Sequence, residues 1–126
     1  MKFKIDTKEK FTVVTPLEPN LSATLAAQIA ETANSCLSTT PKNVILKLAE
    51  LTTIEDDAAN SLAHLQQQFY ESNASFVICE VNPSVEETLE KLELLEYMNI
   101  TPTESEAWDI VQMEEIEREL LDSDDI

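Results

Sequence analysis

Two apolar runs constrain this fold more than any other feature: Val44-Ile45-Leu46 continuing to Leu48, and Phe76 to Val81 (FVICEV). Each is nearly uniformly apolar, the pattern of a strand covered on both faces. Between them Ala58, Leu62, Leu65 and Phe69 recur at helical spacing. Strand, helix, strand in this order is a βαβ unit, so the two strands should lie parallel, joined by a right-handed crossover. Three carboxylates, Glu55, Asp56 and Asp57, stand where the helix begins, just after the apolar Ile54. Asp56 or Asp57 is expected to cap it.

The flanking segments extend the same layered plan. Phe3 and Ile5 alternate with Lys2, Lys4 and Asp6, as in a half-buried strand. After a polar break, Phe11 to Thr15 is a second β-rich run, so the chain should open on an antiparallel hairpin. Pro16 and Pro19 bracket a loop, and Asn20 or Ser22 can cap a helix over 22–38 whose stripe is Leu21, Leu25, Ile29, Ala33 and Leu37. Ser38-Thr39-Thr40-Pro41 should end it, because the residue before proline avoids the helical region. Asn82-Pro83-Ser84 opens a third helix carrying Val85, Leu89 and Leu92, expected to end at Tyr97-Met98-Asn99. Ile100 to Thr103 suits a short edge strand, where Pro102 is tolerated. Ser105 starts a last amphipathic segment with Trp108, Val111, Ile116 and Leu120, and Trp108 and Tyr97 are expected to pack. The reading is one α/β domain over residues 1–120. It has a mixed four- to five-stranded sheet, an opening hairpin, parallel central strands and about four helices, unevenly split or mainly on one face. Residues 121–126 (LDSDDI) form an acidic tail expected to fray.

Composition narrows the function. The chain has 126 residues, enough for one core. Its formal charge of −17 is uneven: residues 1–79 hold 6 basic and 9 acidic side chains, residues 80–126 hold 2 and 16. Such a chain repels phosphate backbones and anionic lipid surfaces, so nucleic-acid binding is not expected. The acidity reads first as a solvated, solubilising surface. The sequence has no glycine, where average usage of about 7% would give several. That removes the phosphate-binding loop, the dinucleotide fingerprint and the nucleophile elbow, which need close backbone approach or positive φ. The start shows no apolar leader and no run is long enough to span a bilayer, so a cytoplasmic protein is expected. Cys36 and Cys79 read as reduced core thiols, and the lone His64 as a surface or boundary residue. Glu55, Asp56 and Asp57 are oxygen donors, but adjacent carboxylates at a helix start rarely converge and no calcium-loop spacing is present. No catalytic residue, metal or cofactor is expected.

The order of elements resembles the STAS domain, the fold of bacterial anti-sigma factor antagonists. The resemblance covers nearly the whole chain. It runs through the strand VILKL, the turn LTTIEDDAANSL, the second parallel strand FVICEVN and the helix PSVEETLEKLELLEYMNI. Pro83, Val85, Leu89 and Leu92 to Leu95 fit the family's pattern in that helix, and its glycine-leucine is absent. The family's working motif is Asp-Ser-Ser/Thr-Gly at the start of the second helix, where a partner kinase phosphorylates the first serine. Glu55 matches the motif's aspartate, Asp56 stands at the phosphorylated serine, Asp57 replaces the next hydroxyl residue and Ala58 the glycine. The resemblance therefore carries over the place of the site and not its phosphorylation.

It implies a non-enzymatic regulator that binds a cytoplasmic protein, an anti-sigma factor or a switch kinase. Binding would run through Thr53, Glu55, Asp56, Asp57, Asn60 and Ser61. Ser61 is either an alternative phosphorylation target or a solvent-side or packing residue. A structural accessory subunit bracing an ABC-type lipid-transport ATPase is the alternative, and a homodimer is compatible with either.

Overall fold

A computed structural model describes residues 3–39 and 42–124, with side chains through residue 120. Strands β1 (Phe3–Thr7) and β2 (Thr12–Pro16) are followed by a two-residue strand β3 (Asn20–Leu21) and helix α1 (Ala23–Cys36). Next come β4 (Val44–Lys47), a second two-residue strand β5 (Thr53–Ile54), α2 (Asp56–Glu71) and β6 (Phe76–Cys79). The chain continues through α3 (Pro83–Lys91), a 3-10 turn (Leu95–Tyr97), β7 (Ile100–Thr101) and α4 (Glu104–Asp124).

The main sheet has five strands in the order β1-β2-β4-β6-β7. β1 and β2 pair antiparallel, as the two opening runs predict, and the other neighbours pair parallel. The uniform apolarity of β4 and β6 has a direct cause in the pleat, since alternate residues enter different cores. Val44, Leu46, Phe76 and Ile78 meet Leu25, Ile29, Leu62, Phe69 and Leu89 from α1, α2 and α3. Ile45, Val77 and Cys79 join Phe11, Val13 and, from α4, Ala107 and Val111. Three helices therefore cover one face and one helix the other.

Caps set the starts of α1 and α3. The Ser22 hydroxyl accepts the Leu25 N–H (3.1 Å), and the Asn82 side chain accepts the Ser84 N–H (3.0 Å) with Pro83 at the first helical position. The end of α1, expected over Ser38-Thr39-Thr40-Pro41, comes earlier, at Cys36, where the Leu37 N–H turns back to the Asn34 carbonyl (3.1 Å); Thr40 and Pro41 lie outside the described residues.

Several expectations differ from the structure. Ile5 is 44% exposed, because β1 is the edge strand and only Phe3 of it packs on the core. The third helix ends at Lys91 instead of Tyr97. Glu93 turns left-handed (φ 59°), and the Leu94 N–H returns to the Leu89 carbonyl (3.0 Å). Tyr97 is 62% exposed on the turn that follows. On α4, Ile116 (56%) and Leu120 (60%) face solvent, and Trp108 is only partly covered, with its ring 5.0 Å from that of Phe11. Beyond Val111 the helix passes over Asn43 and Ser75, just ahead of β4 and β6, so its inward side chains there are polar. Asn43 donates to Glu115 (2.8 Å), and Arg118 donates to Ser75 (3.3 Å) and Asn43 (3.4 Å). α4 runs to Asp124, within the segment expected as a tail; the side chains of 121–126, and residues 125–126 altogether, lie outside the described residues.

A chain without glycine still turns left-handed at Asn73, Glu80 and Glu93. For a glutamate this conformation costs about 1–2 kcal/mol. Glu93→Gly relieves that strain and raises the entropy of the unfolded chain, so a net gain of about 0.5–1 kcal/mol is expected. Urea unfolding of the variant checks it.

Candidate functional site

The start of α2 is built by a short exit loop pinned to the segment before α1. Leu48 and Leu51 are fully buried and Ile54 is 7% exposed. The N–H groups of Thr52 and Thr53 both donate to the Pro19 carbonyl (2.7 and 3.1 Å), and the Glu55 N–H donates to that of Leu21 (3.0 Å). β3 and β5 pair parallel within this junction. The Ser84 hydroxyl, at the start of α3, donates to the Thr52 carbonyl (2.6 Å). The starts of α1, α2 and α3 are thus tied together beyond the carboxyl ends of β4 and β6, where open α/β sheets place their sites.

Neither Asp56 nor Asp57 caps α2. Both already have helical backbone, at its first two positions, and Glu55 occupies the cap position with extended backbone (φ −77°, ψ 151°). Glu55 makes no cap bond to α2 either. Its carboxylate reaches across to α1, accepting the Ala23 N–H (3.2 Å) and the Asn20 side-chain amide (3.1 Å). Thr53 donates to the same Asn20 (2.8 Å). One carboxylate of the acidic triplet therefore serves a different helix.

The six expected residues come together at this end of the domain, with different freedoms. Thr53, Glu55, Asp56, Asp57 and Asn60 are exposed and Ser61 is half-buried. Asn60 donates to the Asp56 carbonyl and Ser61 to the Asp57 carbonyl (both 3.1 Å), so both side chains are engaged with their own helix. Asp56 and Asp57 are left as side chains without hydrogen bonds among the described residues. The free N–H groups and dipole of the first turn favour their charge. Asn20, in the two-residue β3, and Ser84, in the first turn of α3, complete the frame; the sequence marks them only as a possible helix cap and as part of a helix start, not as residues of this site.

A profile of the STAS domain family matches residues 2–107. This chain belongs to the STAS domain family. Its fold superposes on solved structures of similar proteins. A Thermotoga maritima protein assigned as an anti-sigma factor antagonist gives a TM-score of 0.75 at 19% identity, over 87% of this chain and 94% of its own. An anti-sigma factor antagonist (STAS) domain protein of Planctomyces limnophilus gives 0.74 at 21% identity, over 87% and 97%. A serine-to-glutamate variant of RsbS from Moorella thermoacetica gives 0.74 at 18% identity, over 89% and 96%. No curated protein sequence matches the chain.

Elsewhere this STAS domain offers little reactive chemistry. Burial pushes the Cys79 thiol up to about 12, with Glu80 and Glu104 adding to the effect, so it stays protonated and a poor nucleophile. Cys36 is half-buried and not a full core residue. Among the described residues, no group of three or more His, Cys, Asp or Glu could hold a metal, and no helix is long and apolar enough to cross a membrane. A groove of ≈ 780 Å³ lies away from the start of α2, between its second half, the 3-10 turn and α4. Its lining includes His64, Tyr70, Tyr97, Asn99 and Arg118. Its polar groups are partly satisfied already: Gln66 accepts the Asn99 N–H (3.1 Å), and Arg118 is held by Ser75 and Asn43.

Proposed function

We propose that this STAS domain is a non-enzymatic regulator that binds a cytoplasmic protein, an anti-sigma factor or a switch kinase, through the start of α2. The observation that carries this reading is Asp56. It is exposed at the first helical position of α2, its carboxylate unbonded among the described residues, on a frame fixed by Glu55. By the family resemblance it stands where the phosphorylated serine would be. Phosphate brings roughly −1.5 to −2 charge and three acceptor oxygens. A carboxylate brings a permanent −1 and two oxygens, supported by the helix dipole. Asp56 then acts as a fixed partial mimic of the phosphorylated state, and Thr53, Asp57, Asn60 and Ser61 form the rim the partner covers.

The test is an Asp56→Ser variant incubated with ATP and the kinase that co-purifies with the wild type. Mass spectrometry should find the wild type unmodified between residues 52 and 61, and the variant phosphorylated at its new serine. A wild type already phosphorylated in this segment overturns the fixed-mimic reading. A stable ABC ATPase partner, held without regard to nucleotide, would instead support the accessory-subunit role.

A further inference from the structure

The outer face of α4 carries a second surface. Met113 (56% exposed), Ile116 (56%) and Leu120 (60%) project from it at i, i+3 and i+7. At 3.6 residues per turn these three share one side of the helix. That side is opposite Ala107 and Val111, which pack on the sheet. Single exposed apolar residues need no explanation, whereas three in register form the anchor pattern of helix-in-groove and helix-on-helix recognition. The family match ends at residue 107, so all three lie beyond it.

The charge around the stripe says what covers it. α4 has nine acidic residues and one basic one, Arg118, whose guanidinium is turned inward onto Ser75 and Asn43. Glu106, Asp109, Glu117 and Glu119 are exposed around the stripe and make no ion pair among the described residues. A second copy of α4 would bring the same charge against itself, and an anionic bilayer would be repelled. We infer that the Met113–Ile116–Leu120 face of α4 docks a basic amphipathic helix of a partner protein. Apolar side chains of that helix cover the stripe, and its Lys or Arg residues meet the flanking carboxylates. This surface is separate from the start of α2, so the inference stands or falls independently of the proposed role of Asp56.

The probe is a synthetic peptide of leucine and lysine set at helical spacing, titrated by calorimetry into the full chain at physiological ionic strength. Controls are a peptide of the same composition without helical periodicity and one with glutamate in place of lysine. The periodic cationic peptide should bind the wild type, and the M113S/I116S/L120S variant should weaken it at least ~10-fold. The variant's circular dichroism and melting temperature should be unchanged, since all three side chains are exposed. Three results overturn the inference: no binding by the wild type, equal binding by wild type and variant, or equal binding of the non-periodic peptide. The last two would show only bulk attraction to a polyanion. Concentration-dependent dimerisation that the triple substitution abolishes would also overturn it, by making a second copy the occupant.

Discussion

Replacing Phe69 with alanine is expected to destabilise the domain by about 3–5 kcal/mol. Phe69 is fully buried as the last residue of the α2 stripe. Its ring lies 5.3 Å from that of Phe76 on β6, tilted by 46°. Truncation removes apolar area and leaves a cavity between α2 and the sheet that the neighbouring backbone resists filling. The Phe69 carbonyl also accepts the N–H groups of Ser72 and Ala74 (3.1 and 2.9 Å), which end the helix before Asn73 turns left-handed. A domain of this size holds about 5–15 kcal/mol in all, so the variant should show a large drop in urea midpoint. The start of α2 has separate anchors in Leu21, Pro19 and Glu55. The folded fraction of the variant should therefore keep its partner affinity.

Asp56→Lys is expected to do the opposite. The side chain is exposed and bonded to nothing among the described residues, so packing does not change. A cation in the first turn meets the positive end of the helix dipole, a penalty of about 0.3–1 kcal/mol. Partner affinity should fall far more. Reversing a charge that the partner covers loses the attraction and adds a repulsion, and removing one member of a charge pair buried and hydrogen-bonded in an interface typically costs about 2–5 kcal/mol. A loss of at least ~30-fold is therefore expected, with Asp56→Asn in between. Binding titration beside circular dichroism separates the two effects.

Much of this could be read from the residues alone. VIL and FVIC declare buried parallel strands because each pleat face enters a different core. Of the two cap candidates for α1 it is Ser22 that caps, and the third helix opens at Asn82-Pro83-Ser84 as expected, with Asn82 as its cap. The site frame could not be read. β3 and β5 are two residues each, too short for any period. Glu55 serves a helix 32 positions earlier, a contact that only the tertiary arrangement creates. Counting carboxylates at a helix start suggested a cap on α2, but the first to arrive was claimed by α1. The same limit applies to α4. Trp108, Val111, Ile116 and Leu120 look like one amphipathic set, yet the ground beneath the second half of the helix is Asn43 and Ser75. The buried side of that half is polar, and Met113, Ile116 and Leu120 were left outside.

The role of Asp56 in partner binding is tested by affinity purification of the wild-type chain and its Asp56→Lys variant from cells that express it natively, with mass spectrometry of the bound proteins. A stoichiometric anti-sigma factor or switch kinase is expected on the wild type and should be lost from the equally folded variant. The same partner retained undiminished on Asp56→Lys would contradict that role.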